Sequence, residues 1–147
     1  MKKLTNLKKR SGFTLVELLI VIIIIGILAG AMLLVAGSGT DSAEATKIIS
    51  DLRSLKSAAL LYYADNPSNP DAPTIDALGQ YMDRTLGAGY DVQAGTTSSD
   101  TWWVGRENID STGVRGKLSP RAEELGLKDG VEGDKYDGGE DVWMRAR

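Results

Sequence analysis

The sequence predicts an α+β protein in which one long N-terminal α-helix packs against a small antiparallel β-sheet head. Three observations predict this class. An apolar run follows a basic N-terminus, an amphipathic helical pattern continues from it without a proline, and short strand-like segments separated by polar turns fill the rest. The lower half of the helix would cross a membrane, and the amphipathic upper half would carry the head.

Composition narrows the chemistry. The 147 residues include no cysteine and no histidine, which excludes disulfides, Cys/His zinc sites and Cys- or His-based catalysis. Five basic residues and no acid precede Gly12, so 12 basic and 20 acidic residues follow it. A body this acidic is a poor binder of nucleic acid. No nucleophile-base signature and no phosphate-binding loop stands out, so we expect no enzyme and no specific nucleic-acid partner.

The apolar run has the length of a membrane span. No charge occurs between Glu17 and Asp41, and the 22 residues at 18–39 would span about 33 Å as a helix. We expect this run to form a helix rather than a strand, because a lone strand in lipid leaves its backbone N–H and C=O groups without hydrogen-bond partners. The basic residues before the span predict a cytoplasmic N-terminus. A cleaved secretory signal is the alternative, but the core is long and only a weak site follows, at 36–39.

Glu17 is the one carboxylate at the start of this run. Its cost is small beside the insertion preference of the aliphatic residues, so the span tolerates it. The Glu17 carboxylate either lies at the level of the lipid headgroups or pairs with a positively charged partner inside the membrane. Further along, Gly26 and Gly30 form a small-xxx-small pattern that lets helices approach closely.

The stretch KKRSGFTLVELLIVIIIIGILAG resembles the N-terminus of type IV prepilins and the related pseudopilins. The resemblance implies that prepilin peptidase removes a basic leader (residues 1–12) by cutting between Gly12 and Phe13, and that Phe13 is then N-methylated. It implies a membrane and filament-core helix over 13–39. It also implies that Glu17 meets the N-terminal amine of a neighbouring subunit, a pairing that would enforce register because an unpaired charge in low dielectric is penalised.

One departure from the family concerns Leu34, where many type IV pilins have a proline. The only residues in this region that would weaken the helix are its glycines, Gly26, Gly30, Gly37 and Gly39. Whether the helix melts on assembly is therefore open.

Apolar residues recur at three- and four-residue steps beyond the span, which predicts an amphipathic continuation of the helix over 40–64. The charged residues Glu44, Lys47, Asp51, Arg53 and Lys56 are expected on the other sides. With no proline in between, one helix should run from Phe13 to Ala64. A Pro-rich loop at 65–73 ends it.

The head, residues 74–147, is predicted to contain a short helix capped by Thr74, a hairpin of strands at 90–95 and 101–107, and a helical turn. That turn has Ser119 as cap, Pro120 at its first position and Gly126 as terminator. A last strand covers 141–147. A head of this size buries a modest core, so the long helix must supply one wall.

Four acids flank two glycines near the end of the head, namely Asp134, Asp137, Glu140 and Asp141. Carboxylates on a flexible loop suit calcium, and the resemblance adds that some major pseudopilins hold calcium in a C-terminal acidic loop. The alternative is a solvated turn that pairs with Arg145 or Arg147. Family heads often close this region with a disulfide, which this chain cannot form.

The expected function is that of a structural type IV pilus subunit, which polymerises with other pilin subunits and can serve adhesion or motility. The resemblance implies three partners: the prepilin peptidase and methyltransferase, the inner-membrane assembly machinery with its ATPase, and the membrane. The protein would wait in the inner membrane and then enter an extracellular pilus or a periplasmic pseudopilus. Two alternatives stay open: a pseudopilin of a type II secretion system, and a membrane-anchored periplasmic domain, with or without bound calcium, that does not polymerise.

Overall fold

The computed structural model describes residues 12–69 and 71–147. The predicted leader therefore lies outside the described residues except for Gly12. Helix α1 (Leu15–Asp65) is one uninterrupted α-helix, against the predicted 13–64. The chain divides into two compact units, residues 1–37 and residues 38–147, which we call the first and second units.

The first unit contributes the apolar part of α1. Its large aliphatic side chains are exposed, from 49% at Leu19 to 80% at Leu15. This helix is the one element of the described chain that is long and apolar enough to cross a membrane. It runs through Gly26, Gly30 and Gly37 without a break. An apolar surface of this extent needs lipid or other helices around it.

The second unit contains a four-stranded antiparallel sheet in the order β1–β2–β4–β3. The strands are β1 (Tyr90–Ala94), β2 (Trp102–Arg106), β3 (Leu127–Lys128) and β4 (Val142–Arg145). One register row pairs Val92 with Val104, Val104 with Met144 and Met144 with Leu127. All four side chains are buried in the core, as the pleat requires of residues that share a face.

The amphipathic part of α1 supplies the other wall of this core, as expected. The α1 residues buried there are Ala45, Ile48, Ile49, Leu52, Leu55, Ala58 and Ala59. Trp102 of β2 is fully buried, and its ring centroid lies 5.8 Å from that of Tyr63 and 6.2 Å from that of Tyr62. The predicted fold class is therefore confirmed: a long N-terminal helix with a small antiparallel sheet.

Asp51 corrects the predicted polar face of α1. It is only 2% exposed, and its two carboxylate oxygens accept bonds from Arg84 Nη2 at 2.5 Å and from the Tyr90 hydroxyl at 2.6 Å. The pKa of Tyr90 is raised, first by burial and then by this bond to a carboxylate. Periodicity alone could not show that a charged residue lies inside because its partners are more than 30 residues away.

Short elements differ from the prediction. The helix begun by Thr74 is brief: α2 (Ile75–Leu78) is followed by a 3-10 turn at Gly79–Tyr81, and the Thr74 hydroxyl accepts from Ala77 N–H as expected. A helix that was not predicted, α3 (Thr112–Leu118), begins at Ser111 and runs straight into the 3-10 turn Ser119–Arg121.

Ser119 consequently makes no side-chain cap, because α3 already continues into the turn that it was expected to start. Helix α4 (Ala122–Leu125) follows and ends at Gly126, whose φ of 66° is the left-handed C-cap that favours glycine. The strand β3, with two residues, was too short for an alternation pattern and was not predicted.

Candidate functional site

The predicted cleavage junction is accessible. Gly12 and Phe13 precede α1 without regular secondary structure, and Phe13 is 83% exposed. No atom outside the adjoining chain would meet a Cβ added at Gly12 within 4 Å. A peptidase could therefore reach the bond between these residues without unfolding the helix that follows.

Glu17 belongs to a capping box with Thr14 at the start of α1. The Thr14 backbone N–H and hydroxyl each donate to Glu17 Oε2 at 2.8 Å, and the Glu17 backbone N–H donates to Thr14 Oγ1 at 3.2 Å. Reciprocal bonds of this kind satisfy amide groups that a helix start otherwise leaves without partners. The carboxylate is therefore held at the very beginning of the helix, one turn after Phe13.

Thr14 is the residue that the sequence reasoning missed. The signal was present, because a Thr followed three residues later by Glu in front of an apolar run is the pattern of a capping box. Glu17 was interpreted by its negative charge alone, and its local hydrogen bonds to Thr14 were not predicted. The box explains how one carboxylate can be tolerated at the edge of an apolar helix before any partner arrives.

Gly26 and Gly30 lie on the exposed apolar part of α1. A Cβ at either position would meet nothing within 4 Å. Their lack of a side chain serves no contact inside the described chain. That helices of other subunits pack at this pair stays a prediction.

The four predicted calcium ligands do not converge. Glu140 Oε1 lies 3.6 Å from Arg115 Nη1, and Asp141 Oδ1 accepts the Asn108 backbone N–H at 2.9 Å. Asp134 and Asp137 are exposed and contribute backbone groups, a carbonyl and an N–H, to bonds with Asp129. Across residues 12–69 and 71–147 no three Asp or Glu side chains are grouped to hold a metal. Calcium binding stays a prediction, and the ion pair forms with Arg115 rather than Arg145 or Arg147.

A carboxylate clasp holds this region without a disulfide. Glu132 Oε2 accepts from the hydroxyls of Thr96 and Thr97 at 2.6 Å each and from the Thr97 backbone N–H at 2.9 Å. These bonds favour the ionised form and lower the pKa of Glu132. The clasp ties the loop before β4 to the turn of the β1–β2 hairpin.

A second attachment lies at Arg147. Its guanidinium carbon is 3.6 Å from the centroid of the Tyr63 ring on α1, and its Nη2 is 3.2 Å from Asp100 Oδ1. Arg147 also exchanges backbone bonds with Trp102 at 3.2 Å. A cation over an aromatic face is attracted by the ring quadrupole, so this end of the sheet is fastened to the helix.

A third contact lies inside the loop that precedes β4. The buried Tyr136 donates its hydroxyl to the Gly139 carbonyl at 2.7 Å, and burial raises the pKa of this tyrosine to about 12. Together the three contacts hold the C-terminal region of a chain that has no cysteine.

The N-terminal motif and the fold of this chain are similar to those of the pilin-like class of proteins. The family described as the prokaryotic N-terminal methylation motif matches residues 7–33, which include the junction, the capping box and most of the apolar run. The solved structure of the major type IV pilin PilA1 from Clostridium difficile shares the fold, with a TM-score of 0.54 and 19% identity over 74% of this chain and 98% of that one.

Particular relatives fall into two groups. The chain is 38% identical over 63 residues to the type II secretion system core protein G of Klebsiella michiganensis, covering 43% of this chain and 44% of that protein. It is 36% identical over 80 residues to the type IV major pilin protein PilE1 of Neisseria gonorrhoeae, covering 50% and 37%. The chain spans about half the length or less of these relatives. The resemblance to type IV pilins and pseudopilins is confirmed.

Proposed function

We propose that this protein is the structural subunit of a type IV pilus. The observation that carries the proposal is the start of α1: an exposed Gly12–Phe13 junction, followed by a self-capped Glu17 and an exposed apolar helix, on a chain with a pilin fold. Prepilin peptidase would cut after Gly12, and the new amine of Phe13 would be N-methylated. The leader with its five basic residues would stay behind in the cytoplasm.

Assembly follows from the chemistry of the new N-terminus. Cleavage creates a cation at Phe13, four residues before Glu17 and just ahead of the start of α1. In a filament core the amine of one subunit would pair with Glu17 of a neighbour, and the Thr14 bonds would keep the carboxylate at the helix start. Opposite charges attract strongly in low dielectric, so a subunit in the wrong register would leave two charges unpaired. Before cleavage no amine exists at Phe13, so assembly cannot start early.

The partners of this proposal are other copies of the chain, the peptidase and methyltransferase, and the inner-membrane machinery with its ATPase. The subunit would span the inner membrane once, with its N-terminus in the cytoplasm, and would later enter an extracellular pilus. Support comes from the exposed apolar helix of the first unit, which lipid or neighbouring helices would cover in either location.

A pseudopilin of a type II secretion system is the second candidate. It is favoured by a specific observation: relatives named type II secretion system core protein G in several species share 34% to 38% identity with stretches of this chain. Both candidates use the same processing and the same role for Glu17. They differ in whether filaments reach the cell surface or stay in the periplasm.

The first experiment is the mass and N-terminal sequence of the protein recovered from cells. We expect the chain to begin at N-methyl-Phe13. A start at Met1 would overturn the proposal in favour of an anchored domain that does not polymerise. Shearing then separates the two filament candidates, because surface pili are released from intact cells and a periplasmic pseudopilus is not.

The Glu17→Ala variant tests the assembly step. We expect normal membrane insertion and cleavage but no sheared filaments, since the neighbour's amine would lack its partner. Glu124→Ala, an exposed carboxylate of the second unit, is the matched control and should assemble normally. Filaments of normal yield from Glu17→Ala would show that this carboxylate has no part in assembly.

A further inference from the structure

A groove on the outer side of α1 carries two arginines. It is lined by Thr46, Ile49, Ser50, Arg53, Ser54, Ser57 and Arg121, and we call it the basic groove. Arg53 belongs to α1, whereas Arg121 comes from the 3-10 turn before α4, so two separate elements bring the cations to one depression. No acidic residue lines it.

Three of the four groove hydroxyls donate within α1, and the fourth, that of Ser50, accepts from Arg84 Nη2 at 3.3 Å. Thr46, Ser54 and Ser57 donate to the carbonyls four residues before them, at 2.8, 3.0 and 3.1 Å. Arg53 and Arg121, in contrast, form no ion pair anywhere in the described residues. The groove therefore offers two planar cationic forks as its open donors, and these suit carboxylates.

The same unit exposes a surface of the opposite charge. Residues 71–83 contain Asp71, Asp76 and Asp83, all exposed, and no basic residue. Asp76 lies on α2, and Asp83 lies just after the 3-10 turn that follows it. We call residues 71–83 the acidic segment. The next cation in the chain, Arg84, borders the same shallow depression as Asp76 and Asp83 and is bound to Asp51.

We infer that the basic groove of one copy receives the acidic segment of a second copy, an inference that rests on the proposed pilus function. The second unit carries 12 basic and 19 acidic residues, so its overall field repels a polyanion such as nucleic acid. A second copy instead brings a compact set of carboxylates to two unpaired arginines. Because the two surfaces are separate patches of one chain, the contact can repeat head to tail along a row of copies, as a filament requires.

Charge reversal tests the contact in the full chain expressed in cells. The double variant Arg53→Glu/Arg121→Glu should lower the yield of sheared filaments about tenfold or more, because like charges would then oppose each other at every subunit junction. The variant Asp76→Lys/Asp83→Lys should do the same. Combining all four substitutions restores opposite charges across the junction and should recover filaments.

The matched control is Lys128→Glu/Arg145→Glu, which changes the net charge equally on the sheet face turned away from α1. It should assemble like the unaltered chain. Two measurements are made for every variant. Cleavage after Gly12 verifies membrane insertion, and protease resistance of the second unit verifies folding. The inference is overturned if the groove variant assembles like the control, or if the four-fold combination fails to recover filaments.

A short DNA duplex probes the competing partner. Duplex binding that requires Arg53 and Arg121, with assembly unaffected by their reversal, would assign the groove to nucleic acid and overturn the inference. If the unaltered chain is neither cleaved nor assembled, the proposed function itself fails, and this outcome differs from the failure of the groove variant alone.

Discussion

Glu132 adopts a left-handed backbone conformation, with a φ of 58° that an L-residue rarely takes. Its three hydrogen bonds to Thr96 and Thr97 offset this strain. The strain is thus explained by a tertiary contact between positions more than 30 residues apart. No local pattern in the sequence could have singled out this glutamate among its acidic neighbours.

The clasp predicts a pH-dependent stability. The folded pKa of Glu132 is lowered, so its contribution to stability is present above the unfolded pKa and is lost as the pH falls through the folded pKa. We expect Glu132→Gln to melt at a lower temperature than the unaltered chain at pH 7, with the difference shrinking on acidification. Thermal unfolding of the full chain in detergent at several pH values measures this.

Glu124→Gln is the control, because the exposed side chain of Glu124 makes no hydrogen bond or ion pair within the described chain. It should leave the melting temperature close to that of the unaltered chain throughout. A gap between Glu132→Gln and the unaltered chain that stayed constant from pH 7 to pH 3 would contradict the role of the ionised carboxylate.

Among the elements, α1 was predictable along its length and α3 was not. The apolar run and the three- and four-residue periodicity give α1 a strong signal, and the alternating segments give the hairpin of β1 and β2. Helix α3 contains two glycines in seven residues, which lowers its intrinsic propensity. It forms because Ser111 caps it and because Val114 and Leu118 are buried against the core.

The two glycines of α3 should respond oppositely to alanine. A Cβ at Gly113 would stand 1.9 Å from Asp41 Oδ2, and Asp41 accepts the Ser111 hydroxyl that also caps α3. We therefore expect Gly113→Ala to lower the melting temperature. A Cβ at Gly116 meets nothing, so Gly116→Ala should stabilise by up to about 1 kcal/mol through helix propensity alone.

Chemical denaturation of both variants, followed by tryptophan fluorescence, measures the difference. Each variant is the other's control, since both make the same substitution in one helix. Equal effects of the two alanines would mean that the contact between Asp41 and α3 has no energetic weight.

At the scale of the whole molecule, the two units should lose structure separately. All three tryptophans lie in the second unit, whereas the apolar part of α1 depends on lipid or detergent. Heating in detergent should first abolish the fixed packing of the tryptophan side chains in the second unit. The helical signal of the first unit should persist in far-ultraviolet circular dichroism. Hydrogen exchange resolved by residue is the independent check, and simultaneous loss of both signals would contradict this separation.

The sequence allowed the general fold to be predicted because it rests on local patterns, an apolar run and a helical period. Cleavage between Gly12 and Phe13, inferred from the Gly-Phe junction and the acid four residues beyond it, stays a prediction. The parts that the sequence could not supply depend on distant partners. Asp51 inside the core, the clasp of Glu132 and the basic groove shared by α1 and Arg121 each join residues far apart along the chain.

The capping box at the start of α1 bears on how subunits would be supplied to the proposed filament. A carboxylate already hydrogen-bonded by its own Thr14 is less costly to leave at the lipid boundary than a bare one. Under the proposed function, the uncut chain could therefore be stored in the bilayer at a lower electrostatic cost. Such a store would let filament growth draw on subunits made earlier.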